Sequence, residues 1–224
     1  MRNSLSNSLL AVLIFAAAGF NATAQGAAQA VDVAVVSLLA GEVSYTSGSQ
    51  STGKMTPYMR VREGDRVTVP AGSQVRLVFF ESGRQERWVG PGSFRAARGS
   101  AQPLAGKPAE VAVLPTSAPM RIARVPELLQ NAKLGGIQVR GTQAKSGTPA
   151  ERDSAVREAR TAYEQMRKAS PATDITPELF LYSALSEYSL YSDMQPVVQE
   201  MLRKQPDSEE AKSLDGWLKT RTAK

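Results

Sequence analysis

Not one of the 224 residues is a cysteine or a histidine. Such a chain folds without disulfide staples and without a thiolate or imidazole metal site, so a hydrophobic core must hold it together. The same absences remove whole classes of chemistry. There is no Ser-His-Asp or Cys-His nucleophile pair, no haem axial histidine or thiolate, and no zinc finger or thiolate cluster. Carboxylates and carbonyls remain for hard cations. No residue is assigned here as catalytic, cofactor-binding or metal-binding, and no cofactor is expected.

The amino terminus predicts an address. Arg2 lies in a short polar region, an apolar run extends from Leu9 to Phe20, and Ala22-Thr23-Ala24 forms a small-x-small signal-peptidase site. Residues 1–24 therefore read as a cleavable secretory signal, cut between Ala24 and Gln25. The apolar run is shorter than the roughly 20 residues of a membrane helix. No later stretch is apolar enough to span, so no integral span is expected after cleavage. Export without cysteine points to a bacterial periplasmic or secreted protein, because eukaryotic secreted domains usually carry disulfides.

Charge divides the remainder. From Gln25 to Gln143 there are 11 Arg and 3 Lys against 8 acids; from Ala144 onward there are 12 bases against 13 acids. The positive excess therefore sits in the first part, mostly as Arg. It suits an anionic partner such as acidic glycan, lipid headgroups or an acidic protein surface. The address argues against nucleic acid.

Hydrophobic periodicity also changes along the chain. Short runs bounded by turn residues predict strands at 33–38, 42–46, 60–62, 66–69, 74–80, 85–89 and 110–115. Turns fall at Glu63-Gly64-Asp65, Pro70-Ala71-Gly72-Ser73 and Gly90-Pro91-Gly92. Glu81-Ser82-Gly83-Arg84 reads as a hairpin with Ser82-Gly83 as a two-residue loop. That register places Glu81 opposite Arg84 and Leu77 opposite Trp88. Arg84, Arg87 and Trp88 then cluster near the hairpin tip as candidate partner-binding residues, since Arg and Trp are enriched at interface hot spots. The competing reading is a solvated strand with one buried Trp.

Residues 115–147 form a connector, with Pro126 opening a short helix that ends before Gly135-Gly136 and a possible strand at Ile137–Arg140. Gly141–Gly147 has linker composition. Thr148-Pro149-Ala150-Glu151 is a capping box that starts a helix ending before Ser170-Pro171. Further helices begin at Thr176-Pro177-Glu178, at Asp193 and at Asp207-Ser208-Glu209-Glu210. The expected fold is α+β: a small antiparallel β module over 25–114, sandwich or roll, followed by two helical hairpins over 148–224.

Two motif matches fail on context. Gly48–Met55 approaches a phosphate loop, but Met55 replaces the magnesium-binding hydroxyl and Pro57 blocks the following helix. It reads better as a polar hairpin loop. Ser51-Thr52-Gly53-Lys54 spells S-x-x-K, yet it sits in a Gly/Ser-rich loop rather than on a helical turn. Paired carboxylates for glycan hydrolysis have no apolar setting in the β module to raise a pKa.

Five segments follow one another along residues 35–95: Leu39-Ala40-Gly41-Glu42-Val43, Val61-Arg62-Glu63-Gly64-Asp65-Arg66-Val67, Ala71-Gly72-Ser73-Gln74-Val75-Arg76-Leu77-Val78, Glu81-Ser82-Gly83 and Gly90-Pro91-Gly92-Ser93. In their order and spacing they resemble the FecR-like domain family. The family's namesakes relay signals across the bacterial envelope through a cytoplasmic segment and a membrane helix, and this sequence has a signal-like segment in that place. The resemblance therefore implies an exported, non-enzymatic β module. The C-terminal helices are weakly similar to tetratricopeptide repeats, with Leu202 and Pro206 ahead of Ala211 and Leu214. Together these readings predict a non-enzymatic envelope binding or scaffold protein whose partner is an envelope protein or an anionic cell-wall glycan. The alternatives are a soluble regulator of envelope signalling acting on a membrane partner, and a carboxylate-dependent cell-wall glycan hydrolase.

Overall fold

The computed structural model describes residues 31–48, 51–134 and 147–222. The predicted signal, the candidate strand Ile137–Arg140 and the linker up to Ser146 lie outside the described residues. Ten strands come first: β1 (Asp32–Ala40), β2 (Ser44–Thr46), β3 (Thr52–Lys54), β4 (Arg60–Arg62), β5 (Arg66–Val69), β6 (Gln74–Phe79), β7 (Arg84–Val89), β8 (Gly92–Ala96), β9 (Ala101–Ala105) and β10 (Glu110–Val113). Helices follow: α1 (Ala118–Ile122), α2 (Val125–Lys133), α3 (Pro149–Ala169), α4 (Thr176–Ser186), α5 (Tyr191–Lys204) and α6 (Glu209–Thr222). The protein is α+β with an N-terminal β module.

The strands form two five-stranded antiparallel sheets, ordered β10-β7-β6-β1-β4 and β3-β2-β5-β8-β9. They pack face to face as a sandwich. Its core joins Val36, Val75, Leu77, Phe79 and Trp88 of the first sheet to Val67, Val69, Phe94 and Ala96 of the second. The Trp88 and Phe94 ring centroids lie 4.6 Å apart.

The local patterns show which sheet is covered twice. In β5, Val67 and Val69 are buried while Arg66 and Thr68 are exposed, the alternation of a strand with one wet face. In β6, every residue from Val75 to Phe79 is buried. Helices lie on its second face, where Val35 and Val78 join a core with Ala118, Ile122, Leu179, Phe180 and Leu185. The molecule is thus three layers: sheet, sheet, helices. Helix α4 is the centre of the helical layer, buried at each residue from Thr176 to Leu185. Helices α1 and α2 belong to that layer too, so the described part of the predicted connector contributes to the core.

Helix ends follow their local chemistry. Thr148 and Glu151 form the reciprocal capping box of α3. The Ala211 amide donates to Ser208 Oγ at the start of α6, 3.2 Å away. Helix α5 begins two residues before the expected cap, so Asp193 lies in its first turn. No helix among the described residues is long and apolar enough to cross a membrane.

The β6–β7 hairpin corrects the expected register. Leu77 pairs with Glu86, and Trp88 pairs with Val75. The connection is Phe80–Gly83 rather than Ser82-Gly83. The Phe80 amide donates to Val33 of β1, and its ring packs on the helical core. The Gly83 amide closes the turn on the Phe79 carbonyl at 3.1 Å. The lengthened loop shifts the register by two residues, which keeps each side chain on its face.

Candidate functional site

The three residues expected at the hairpin tip do not form one surface. Trp88 is 1% exposed and lies inside the sandwich, its indole N–H donating to Glu86 Oε2 at 3.1 Å. Arg84 Nε donates to the other oxygen of Glu86, at 2.5 Å. Arg87 lies at the sheet face beside Gln74 and donates to Glu110 at 2.9 Å. The alternation of β7 accounts for this separation, since the neighbours Arg87 and Trp88 face opposite ways.

The buried carboxylates are each engaged. Glu86 accepts from Arg84, Trp88 and the Ala101 amide. Glu178, 0% exposed, accepts from Tyr163, Arg167 and Lys204. Burial and the neighbouring Glu178 charge push the Tyr163 hydroxyl up to about 12. Glu187 takes the Arg124 guanidinium at 2.9 Å. Asp174 pairs with Arg76 across the sheet–helix boundary at 2.7 Å. These contacts cross-link elements: Glu178 ties α3, α4 and the end of α5, and Arg76 ties β6 to the approach of α4. Among the described residues no group of three or more acidic side chains is arranged to hold a metal ion.

The described residues on either side of the candidate phosphate loop pair as antiparallel strands. Strands β2 and β3 pair Ser44 with Lys54 and Thr46 with Thr52. Lys54 donates to Glu42 at 2.6 Å and that contact lowers the Glu42 pKa. Lys54 therefore sits on a strand, outside any phosphate-cradling turn.

The arrangement that does point outward is the solvent face of the second sheet. Cross-strand register places Thr52, Thr46, Arg66, Arg95 and Gln102 in one row across all five strands. A parallel row holds Lys54, Ser44, Thr68 and Ser93. Their neighbours Val67, Val69, Phe94 and Ala96 are buried, so these side chains face solvent. Arg66 and Arg95 are direct partners in the ladder. Directly opposed residues have Cα atoms about 5 Å apart, and like charges there destabilise the sheet by up to about 1 kcal/mol. Among the described residues neither Arg has an acidic partner. The six other arginines of this module do: Arg60, Arg62, Arg76, Arg84, Arg87 and Arg98 all form ion pairs. Two guanidinium forks side by side, ringed by Thr and Ser hydroxyls, suit an oxyanion that accepts paired hydrogen bonds.

The sequence pattern predicts a strand at Arg66 and assigns no element to Ser93-Phe94-Arg95-Ala96. Its alternation of polar and apolar residues was the available signal. That Arg95 lies beside Arg66 is a long-range fact of register. The chain matches no protein-family model, no curated protein and no solved structure.

Proposed function

We propose that this protein is an exported, non-enzymatic binding protein of the bacterial envelope, which engages anionic cell-wall glycan through the outer face of its second sheet. The carrying observation is the Arg66–Arg95 cross-strand pair, two cations held together without an acid on a face of hydroxyl side chains. A fold accepts such a pair readily when a ligand supplies the missing negative charge. The predicted secretory signal supports the address, and the FecR-like run of turns supports a module that binds rather than transforms. The buried carboxylates support the same reading, because cations and backbone amides already occupy them.

The test is co-sedimentation of the chain from Gln25 onward with purified peptidoglycan sacculi at low and high salt. Binding at low salt should fade at high salt, because the contacts are exposed and screened. The R66Q/R95Q variant should lose most of the low-salt binding while keeping its melting temperature. Equal sedimentation of the variant, or none of the parent, would refute the assignment. Release of soluble glycan fragments would refute the non-enzymatic part.

A further inference from the structure

Among the described residues the β10 edge of the first sheet is unpaired, and it is built differently from the other three sheet edges. Strand β9 carries Pro103, β3 carries Lys54, and β4 carries Arg60 and Arg62, devices that discourage strand pairing. Strand β10 reads Glu-Val-Ala-Val, with no proline or lysine. Its Val111 and Val113 are 42% and 73% exposed.

The ladder shows which backbone groups are left over. The Leu114 amide donates to the Gly83 carbonyl at 2.9 Å, and Ala112 pairs with Gln85. Antiparallel ladders alternate, so the even-numbered residues of β10 address β7. The Ala109 amide on the Arg87 carbonyl, beside the Glu110–Arg87 pair, is a bulge that keeps the same phase. Val111 and Val113 therefore turn their N–H and C=O groups away from the sheet. Along this edge runs a cavity of about 290 Å³. Gln85, Ala112 and Leu114 line it on the sheet side, and Gln165, Met166 and Ala169 of α3 on the other. The only acid of the strand, Glu110, is neutralised by Arg87. Lys107 and Lys168, which flank the strand and the cavity in sequence, are exposed and have no acidic partner among the described residues.

We propose that β10 is a strand-addition site for an extended segment of a partner polypeptide, β-branched at its centre and acidic at its ends. The partner's main chain would pair with Val111 and Val113. Side chains on one of its faces would enter the cavity, those on the other would cover the two valines, and its acidic ends would meet the lysines. This site lies on the sheet away from the Arg66–Arg95 face, so the protein would hold a polypeptide and a polyanion at once. The proposal stands independently of the glycan assignment.

The probe is a fluorescein-labelled peptide, acetyl-DEVTVTVED-amide, titrated with the chain from Gln25 onward and read by fluorescence polarisation. Saturable binding is expected, weakened at least about tenfold by Val113→Pro, which deletes an outward N–H and spares the β7 ladder. A V113E variant, which keeps the backbone donor, should weaken the acidic peptide and not its DE-to-KK counterpart. It also serves if V113P does not fold. Circular dichroism melts control for folding. No saturation at millimolar peptide, or affinity as high as the parent's in both V113P and V113E, would overturn the proposal. A dimer in sedimentation velocity that dissociates in V113P would assign the edge to a second copy of the chain, and would overturn it equally.

Discussion

Removing one partner of the Arg76–Asp174 pair should cost far more than removing both. The two side chains are 7% and 3% exposed, with Arg76 Nη2 2.7 Å from Asp174 Oδ1. Arg76 also donates to Ser37 Oγ and Thr176 Oγ1, each at 3.1 Å. Asp174 Oδ1 accepts the Thr176 amide at 2.9 Å, while its Oδ2 is buried without a hydrogen-bond partner. Attraction at this range is about 6 kcal/mol at an effective dielectric constant near 20. Desolvating two ions costs several kcal/mol each, so the intact pair is near break-even. Either single variant, R76M or D174L, leaves a bare charge between sheet and helices and should lose about 3–5 kcal/mol. For a chain of this size that lowers the melting temperature by roughly 6–20 °C. The R76M/D174L double variant should return to within about 1–2 kcal/mol of the parent, since apolar side chains fill the site without an orphaned oxygen. Urea unfolding of all four proteins closes the double-mutant cycle. Simple addition of the two single losses would refute the account and would mean that each side chain acts through packing alone.

Glu178→Gln should destabilise by about 3 kcal/mol in urea melts, because Lys204, 6% exposed, keeps its charge and loses its buried counter-ion. Glu200 is held down at about 2, first by the hydrogen bond from Arg203 and then by the Arg203 and Lys204 charges. Its contribution is present above its ordinary value of 4.5 and is lost as pH falls towards 2. The stability gap between the parent and Glu200→Gln should therefore be constant near neutrality and narrow across that acidic window. Gly90→Ala should unfold at markedly lower temperature, since an added Cβ would overlap the Pro70 carbonyl backbone. Thr148→Ala removes one half of the α3 capping box and should cost about 1 kcal/mol.

Local chemistry was legible wherever it acted over a few residues. The Gly64-Asp65 turn is an example: Gly64 takes φ +89°, and Asp65 Oδ2 accepts the Arg62 amide at 2.9 Å. The α3 capping box and the starts of α4 and α6 belong to the same class. Strands β8 and β9 were not legible. The first follows a Gly-Pro-Gly turn and has a single large apolar residue, Phe94, and the second contains Pro103, which an edge strand tolerates. The Arg66–Arg95 pair depended on β8 and was hidden with it. The two-residue loop expected at Ser82-Gly83 failed because Phe80 is claimed by a contact with β1 and the helices that no local rule contains.

By itself the sequence determined the β-then-α division and the dependence on an apolar core. Those follow from periodicity, caps and the absence of cysteine, all properties of neighbours along the chain. The tertiary structure decided that the helices roof one sheet and leave the other wet. Burial on both faces of β6 and on one face of β5 is a consequence of packing, and strand register set Arg66 beside Arg95. It also decided which strand edge is unpaired among the described residues, because an edge exists only once the other strands have found their partners.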